Sequence, residues 1–303
     1  MWDASAERGM VGSMNRHNRI RIIALDLDGT LLDSQKRLSD ANRLALERAA
    51  ESGMHIVPTT GRFFGMMPQS VRDLPFVRYA ITVNGAQVYD RETDAAIVRE
   101  EIPIAMAVDL MRLLDRHDVI YDCYRSNWGW MTSALQMKAA DYATDAHYLK
   151  MIREFRKPVP ELKSHLLGTA PEGDVQKVMM FSRNSADGKQ VAEAVRDEVM
   201  ASFPGLKITS STWNNLEFNI SSANKGNSLR RFAEHLGLTL ENCMAFGDGL
   251  NDLSMIEAAG IGVAMSNAHP DVLAAADVVA ASNDEDGVAK VISELLHEVE
   301  PMA

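Results

Sequence analysis

Two aspartates at the end of an apolar run could do chemistry here. In Ile22-Ile23-Ala24-Leu25-Asp26-Leu27-Asp28-Gly29-Thr30, the β-branched and aliphatic stretch reads as a buried parallel strand. Ligands in open parallel sheets bind beyond the carboxyl ends of the strands. Asp26 and Asp28 point to one side of an extended chain, and Gly29 permits a sharp turn directly after them. Carboxylates this close repel, so the pair calls for a cation or a shared proton. A divalent, oxygen-seeking metal suits that need. The plain alternative is an Asp-Gly turn at a strand end.

Cys243-Met244-Ala245-Phe246-Gly247-Asp248-Gly249-Leu250-Asn251-Asp252 repeats the logic, with a short apolar strand ending at Asp248. Asn251 and Asp252 then open a helix, Leu253 to Ala259, closed by Gly260. Asp248 reads as a metal ligand. Asp252 reads either as a metal group or as an acidic first-turn residue that complements the helix dipole. His55 to Thr60 forms a further strand ending in hydroxyls and Gly61, where a Thr hydroxyl and a backbone N–H can hold a phosphoryl oxygen. Lys225 stands near the start of a helix expected from about Ser228 to His235. A cation there opposes the dipole, so it is either solvated or answers a bound anion.

Taken in order, Asp26-Leu27-Asp28-Gly29-Thr30, Thr60, Lys225 and Gly247 to Asp252 resemble the four motifs of the haloacid dehalogenase-like phosphohydrolases. Thr60-Gly61-Arg62, Ala223-Asn224-Lys225-Gly226 and the tail Ser282 to Val288 are similar to the type IIB, Cof-type branch. The resemblance runs from about Ile20 to the end. It implies Asp26 as nucleophile, forming an aspartyl-phosphate, and Asp28 as the acid and then the base. It implies Mg2+ on Asp26, Asp248 and the backbone carbonyl of Asp28, with Asp252 on or behind the metal. Thr60, the Gly61 N–H and Lys225 would hold the phosphoryl oxygens, assisted by Asn251 and the Leu27 N–H.

The elements that must position these groups alternate strand and helix over residues 20–86 and again over 218–303. That pattern reads as an α/β fold with a doubly wound, mostly parallel Rossmann-like core. Ser39 caps a helix that Gly53 ends. Residues 87–217 read as an inserted α+β cap with an antiparallel sheet. Its elements are a hairpin near Val88–Arg99, helices near Ala105–Arg116, Leu135–Leu149 and Lys189–Met200, and five further strands, with Arg153 to Gly173 the least legible stretch. By resemblance the cap sets substrate choice. Trp128-Gly129-Trp130 is either a substrate platform or packing.

The chain has 303 residues, 46% of them hydrophobic, and a formal net charge of −11. With no long basic run, nucleic acid is not an expected partner. No stretch approaches the roughly 20 apolar residues of a membrane span. Cys123 and Cys243 lack metal spacing and read as inert core thiols in a reducing, cytoplasmic setting. The eight histidines, His55 and His147 among them, form no metal-spaced set. Residues 1–19 read as a flexible extension without a secretory core segment. The expected activity is a Mg2+-dependent phosphatase on small phosphorylated metabolites, sugar phosphates above all, from a monomer or weak homo-oligomer. A phosphotransferase or mutase would use the same carboxylates, and a non-catalytic binding module could dispense with Asp26 or Lys225.

Overall fold

The computed structural model describes residues 19–299. The extension expected at the N-terminus therefore lies, apart from Arg19, outside the described residues. The chain forms two compact units.

The first comprises the described residues up to Gly61, Met67–Val98, and those from Asn224 onward. It is built on an eight-stranded sheet. The strands are β1 (Ile22–Asp26), β2 (His55–Thr59), β3 (Tyr79–Thr82), β4 (Gln87–Asp90), β5 (Ala95–Arg99), β12 (Cys243–Gly247), β13 (Ile261–Met265) and β14 (Val278–Ala280). Their order is β14-β13-β12-β1-β2-β3-β4-β5. From β14 to β3 the pairing is parallel, with Ala24 opposite Val57 on one side and Ala245 on the other. β1, β12 and β13 are buried along their whole length, as strands covered on both faces must be. Ile22, Ala24, Val57 and Ala245 pack with Leu229 and Phe232 of the Lys225–His235 helix and Met255 of the Leu253–Ala258 helix. The Asp40–Glu51 helix starts as expected, with Ser39 Oγ accepting from Asn42 N, and Gly53 follows it at φ +84°.

The hairpin assigned to the insertion from the sequence instead extends this sheet, because β4 pairs antiparallel with β3. Residues 218–220 differ in the other direction. They complete β11 (Asn215–Ile220), which pairs with strands of the second unit. Hydrophobic alternation reports the buried face of a strand but not its partner, so the sheet to which each of these segments belongs could not be read from it.

The second unit comprises Arg62–Met66 and Arg99–Ala223. Its strands are β6 (Val119–Arg125), β7 (Trp128–Thr132), β8 (Arg156–Val159), β9 (Lys177–Ser182), β10 (Leu206–Thr209) and β11, in the order β10-β11-β9-β6-β7-β8. All pairs are antiparallel except β7 with β8, which is parallel and departs from the expected antiparallel sheet. β8 lies in the stretch whose pattern was least legible. Its Arg-Lys-Pro-Val sequence has a proline and charges, features that suit a sheet edge but hide a strand from periodicity. The helix expected over Leu135–Leu149 is broken into Ser133–Met137, a turn of 3-10 helix and Ala146–Phe155, whose N-cap is Asp145. Helices Ile104–Leu114, Leu162–Gly168 and Gly188–Ser202 pack on the face carrying Tyr121, Cys123, Val178, Met180 and Phe218.

Candidate active site

Three adjacent parallel strands, β12, β1 and β2, end side by side. Asp26 closes β1 opposite Thr59 of β2, while Gly247 closes β12 and is followed by Asp248. Thr60 and Gly61 therefore leave the strand next to Asp26, and Thr60 is buried. Its N–H donates to Ile81 O (2.9 Å) and its carbonyl accepts from Asn84 N (3.0 Å). Leu27, also buried, accepts from Leu32 N at its carbonyl, 2.9 Å.

Gly29 has φ +98°, and a Cβ there would lie 2.4 Å from Asp248 Oδ2. Only glycine permits both the turn and this close approach. Thr30, fully buried, donates from Oγ1 to Asp248 Oδ1 at 2.8 Å and so fixes that carboxylate.

Lys225 begins the Lys225–His235 helix, three residues before the expected start. Asn224 supplies the cap by accepting from Asn227 N. Gly226 lets this turn sit against the Ser254 carbonyl, which a Cβ would meet at 2.1 Å. The placement buries Lys225 completely and brings its Nζ 2.6 Å from Asp26 Oδ1 and 2.5 Å from Asp252 Oδ1. The solvated reading of this lysine is thereby overturned. Burial pulls its pKa down, but the carboxylates of Asp252 and Asp26 outweigh that and hold it above the ordinary lysine value.

Asp252 occupies the N-cap position of the Leu253–Ala258 helix yet does not cap it. Its Oδ2 instead accepts from the N–H groups of Asp248 (3.0 Å) and Gly249 (2.9 Å), closing the loop that carries Asp248. Asn251 is exposed between them.

The side-chain oxygens of Asp26, Asp248 and Asp252 can all lie within 4.8 Å of one another. One ammonium does not balance three carboxylates in so small a volume. Burial and the Asp252 charge push the Asp26 carboxyl up, to about 8, against the opposing pull of Lys225. Burial likewise raises Asp248. An all-oxygen, electron-rich donor set of this kind fits a hard divalent cation. Asp28 follows Asp26 by two residues, and its Oδ1 meets Lys36 Nζ at 3.0 Å.

Sequence reasoning left several of these contributors without a role. Thr30 stood in the quoted motif, but nothing in its type shows that it reaches Asp248 across 218 positions. Lys36 carried no signal at all. Of the aromatic residues singled out, Trp128 and Trp130 belong to the second unit, where Trp128 is exposed and Trp130 half-buried. Lys157 Nζ lies 3.7 Å and 5.3 Å from their ring centres, and His165 stacks on Trp130. His55 is structural, edge-on to Tyr79 and Phe232. Both cysteines are buried and free, and burial pushes the Cys243 thiol up to about 12.

A protein-family model described as haloacid dehalogenase-like hydrolase matches residues 23–292. The chain is 31% identical over 274 residues to the 5-amino-6-(5-phospho-D-ribitylamino)uracil phosphatase YcsE of Bacillus subtilis (strain 168), covering 90% of this chain and 94% of that protein. It is 30% identical over 275 residues to the pyridoxal phosphate phosphatase YbhA of Escherichia coli (strain K12), covering 90% and 97%. Among solved structures, a haloacid dehalogenase-like hydrolase from Bacteroides thetaiotaomicron superposes with a TM-score of 0.76 at 27% identity, over 91% of this chain and 99% of that one.

Proposed function

The chain belongs to the haloacid dehalogenase-like hydrolases, and from that premise we propose a Mg2+-dependent phosphatase of small phosphorylated metabolites that works through an aspartyl-phosphate on Asp26. The observation that carries the reading is the buried Lys225 ammonium bridging Asp26 and Asp252 beside Asp248 at the ends of β1 and β12.

In this reading an Asp26 carboxylate oxygen attacks phosphorus while the bond to the leaving oxygen breaks. Asp28 gives that oxygen a proton. Asp28 then takes a proton from a water whose oxygen attacks phosphorus, the Asp26–phosphorus link breaks, and inorganic phosphate leaves. Lys225, Thr60 and the N–H of Gly61 hold the phosphoryl oxygens, assisted by Asn251 and the N–H of Leu27. Asp26, Asp248 and the Asp28 carbonyl would hold Mg2+. Asp252, with Oδ1 on Lys225 and Oδ2 on two N–H groups, orders the loop around it. When bound, the ion neutralises charge so that an anionic carboxylate and an anionic phosphate can approach.

Phosphorylated sugars and polyols are the leading substrate class. The relative from Bacillus subtilis acts on a phosphoribityl compound, and a ribityl chain is a polyol. The second unit would set substrate choice and the first the phosphoryl chemistry. A panel of sugar, polyol and cofactor phosphates assayed by phosphate release tests the proposal. It expects turnover of primary phosphate esters that is lost on chelation, and a flat panel at saturating Mg2+ would contradict it.

A further inference from the structure

We propose that Lys36 is a positioning residue for Asp28, held in place by a strained turn that the C-terminal loop clamps. The inference rests on the acid–base reading of Asp28 given above and goes beyond it.

Lys36 Nζ is 3.0 Å from Asp28 Oδ1, with the lysine side chain 57% exposed. An exposed pair of this kind adds little to stability, so stability is a poor explanation for what the backbone does to make it. Lys36 has φ +62°, a left-handed conformation that a long-chain residue rarely adopts. Non-glycine residues held in such regions persist where the surroundings determine them, often at functional sites.

Here the surroundings do determine it. Lys36 N donates to Asp33 O (2.8 Å), and Asp33 N donates to Arg37 O (2.9 Å). Asp33 Oδ1 accepts from the backbone N–H groups of Gln35 and Arg37, and its Oδ2 accepts from Arg37 Nε. The tip is then fastened from 250 positions away, where Asp284 accepts from Ser34 N (2.8 Å) and Ser34 Oγ (2.5 Å). Asn283 Nδ2 donates to Leu32 O at 2.9 Å, fixing the base of the same hairpin. Each of these bonds lies within the first unit.

The consequence is geometric. The ion pair holds Asp28 Oδ1 and restrains the rotation of the carboxylate that, in the proposed mechanism, gives up and later takes the proton. Positioning of this type matters most where the reaction depends on the proton. Alkyl phosphates, with basic leaving oxygens, need it. Aryl phosphates with a good leaving group scarcely do.

The experiment measures kcat/KM for a sugar phosphate and for p-nitrophenyl phosphate, in the Mg2+-loaded enzyme, for Lys36→Met, Lys36→Arg, Asp284→Ala, Asp28→Asn and the Lys36→Met/Asp28→Asn double variant. Lys36→Met is expected to lose about tenfold or more on the sugar phosphate and under about threefold on the aryl phosphate. Lys36→Arg should recover most of the loss, and Asp284→Ala should repeat the pattern more weakly. In the Asp28→Asn background the Lys36 substitution should add nothing. Equal losses on both substrates, or a Lys36→Met effect undiminished in the double variant, would overturn the inference while leaving Asp28 in its role. An Asp28→Asn variant equally impaired on both substrates would instead overturn the acid–base reading itself.

Discussion

The Lys225 ammonium lies 2.6 Å from Asp26 Oδ1, and neither side chain is more than a tenth exposed. A charge pair taken so far out of water is a poor stabilising device, since desolvation offsets much of the attraction. In the proposed mechanism it presents a fixed cation where phosphoryl charge would gather. Lys225→Ala should therefore depress kcat/KM by about 10²–10³-fold, and by a similar factor for every substrate, because the phosphoryl group is common to all. Substitutions in the second unit, Trp128→Ala for example, should reorder substrates instead. Substrate profiles of the two variants check this, and a Lys225 variant selective among substrates would contradict it.

Removal of the metal should abolish turnover, and Mg2+ should restore it. Ca2+ should inhibit. It takes roughly six to eight ligands at longer distances than the octahedral Mg2+ requires, which would draw both Asp26 oxygens to the ion and misalign attack. Phosphate release after exhaustive chelation, followed by titration with each ion, measures both effects.

The metal-free protein should also lose stability as pH rises. The Asp26 carboxyl is raised from 3.8 to about 8 by burial and by Asp252, with Lys225 opposing. Between those values the folded chain retains a proton that the unfolded chain has released. Its stabilising effect is thus full below about pH 4 and gone above about pH 8. Saturating Mg2+ should flatten the profile, because binding favours the deprotonated folded form. Thermal unfolding across that range, with and without the ion, reads it directly.

In the second unit, Asp122 and Arg156 form a wholly buried pair at 2.9 Å, and Arg156 also donates to the Tyr124 hydroxyl at 2.9 Å. Arg156→Met should cost about 3–5 kcal/mol by stranding the Asp122 charge. Adding Asp122→Asn should recover a large part of that. Urea unfolding of the single and double variants tests the coupling.

How legible was this site in advance? Asp26, Asp28 and Asp248 announced themselves because an abrupt change from buried strand to carboxylate is a local pattern. Lys225 could be flagged as a cation out of place, yet its burial between Asp26 and Asp252 depends on a partner 199 positions away. Thr30, Lys36 and Asp284 act only through contacts of comparable sequence separation or through an unusual backbone angle, and neither leaves a mark on composition or periodicity. The core strands were readable for the same reason as the first aspartates, being continuous apolar runs. The hairpin Gln87–Arg99 and the edge strand Arg156–Val159 were misplaced or missed because pairing partners, rather than propensity, decide them.

The central claim is covalent chemistry at Asp26. The most direct measurement is rapid acid quench of the enzyme turning over a good substrate, reduction of any acyl phosphate with borohydride, and peptide mapping by mass spectrometry. The account predicts homoserine at position 26 in the native chain, none in Asp26→Asn, and loss of turnover in that variant with its fold intact. Reduction at another carboxylate, or an Asp26→Asn variant that keeps more than a few per cent of native turnover on the same substrate at matched metal, would contradict it.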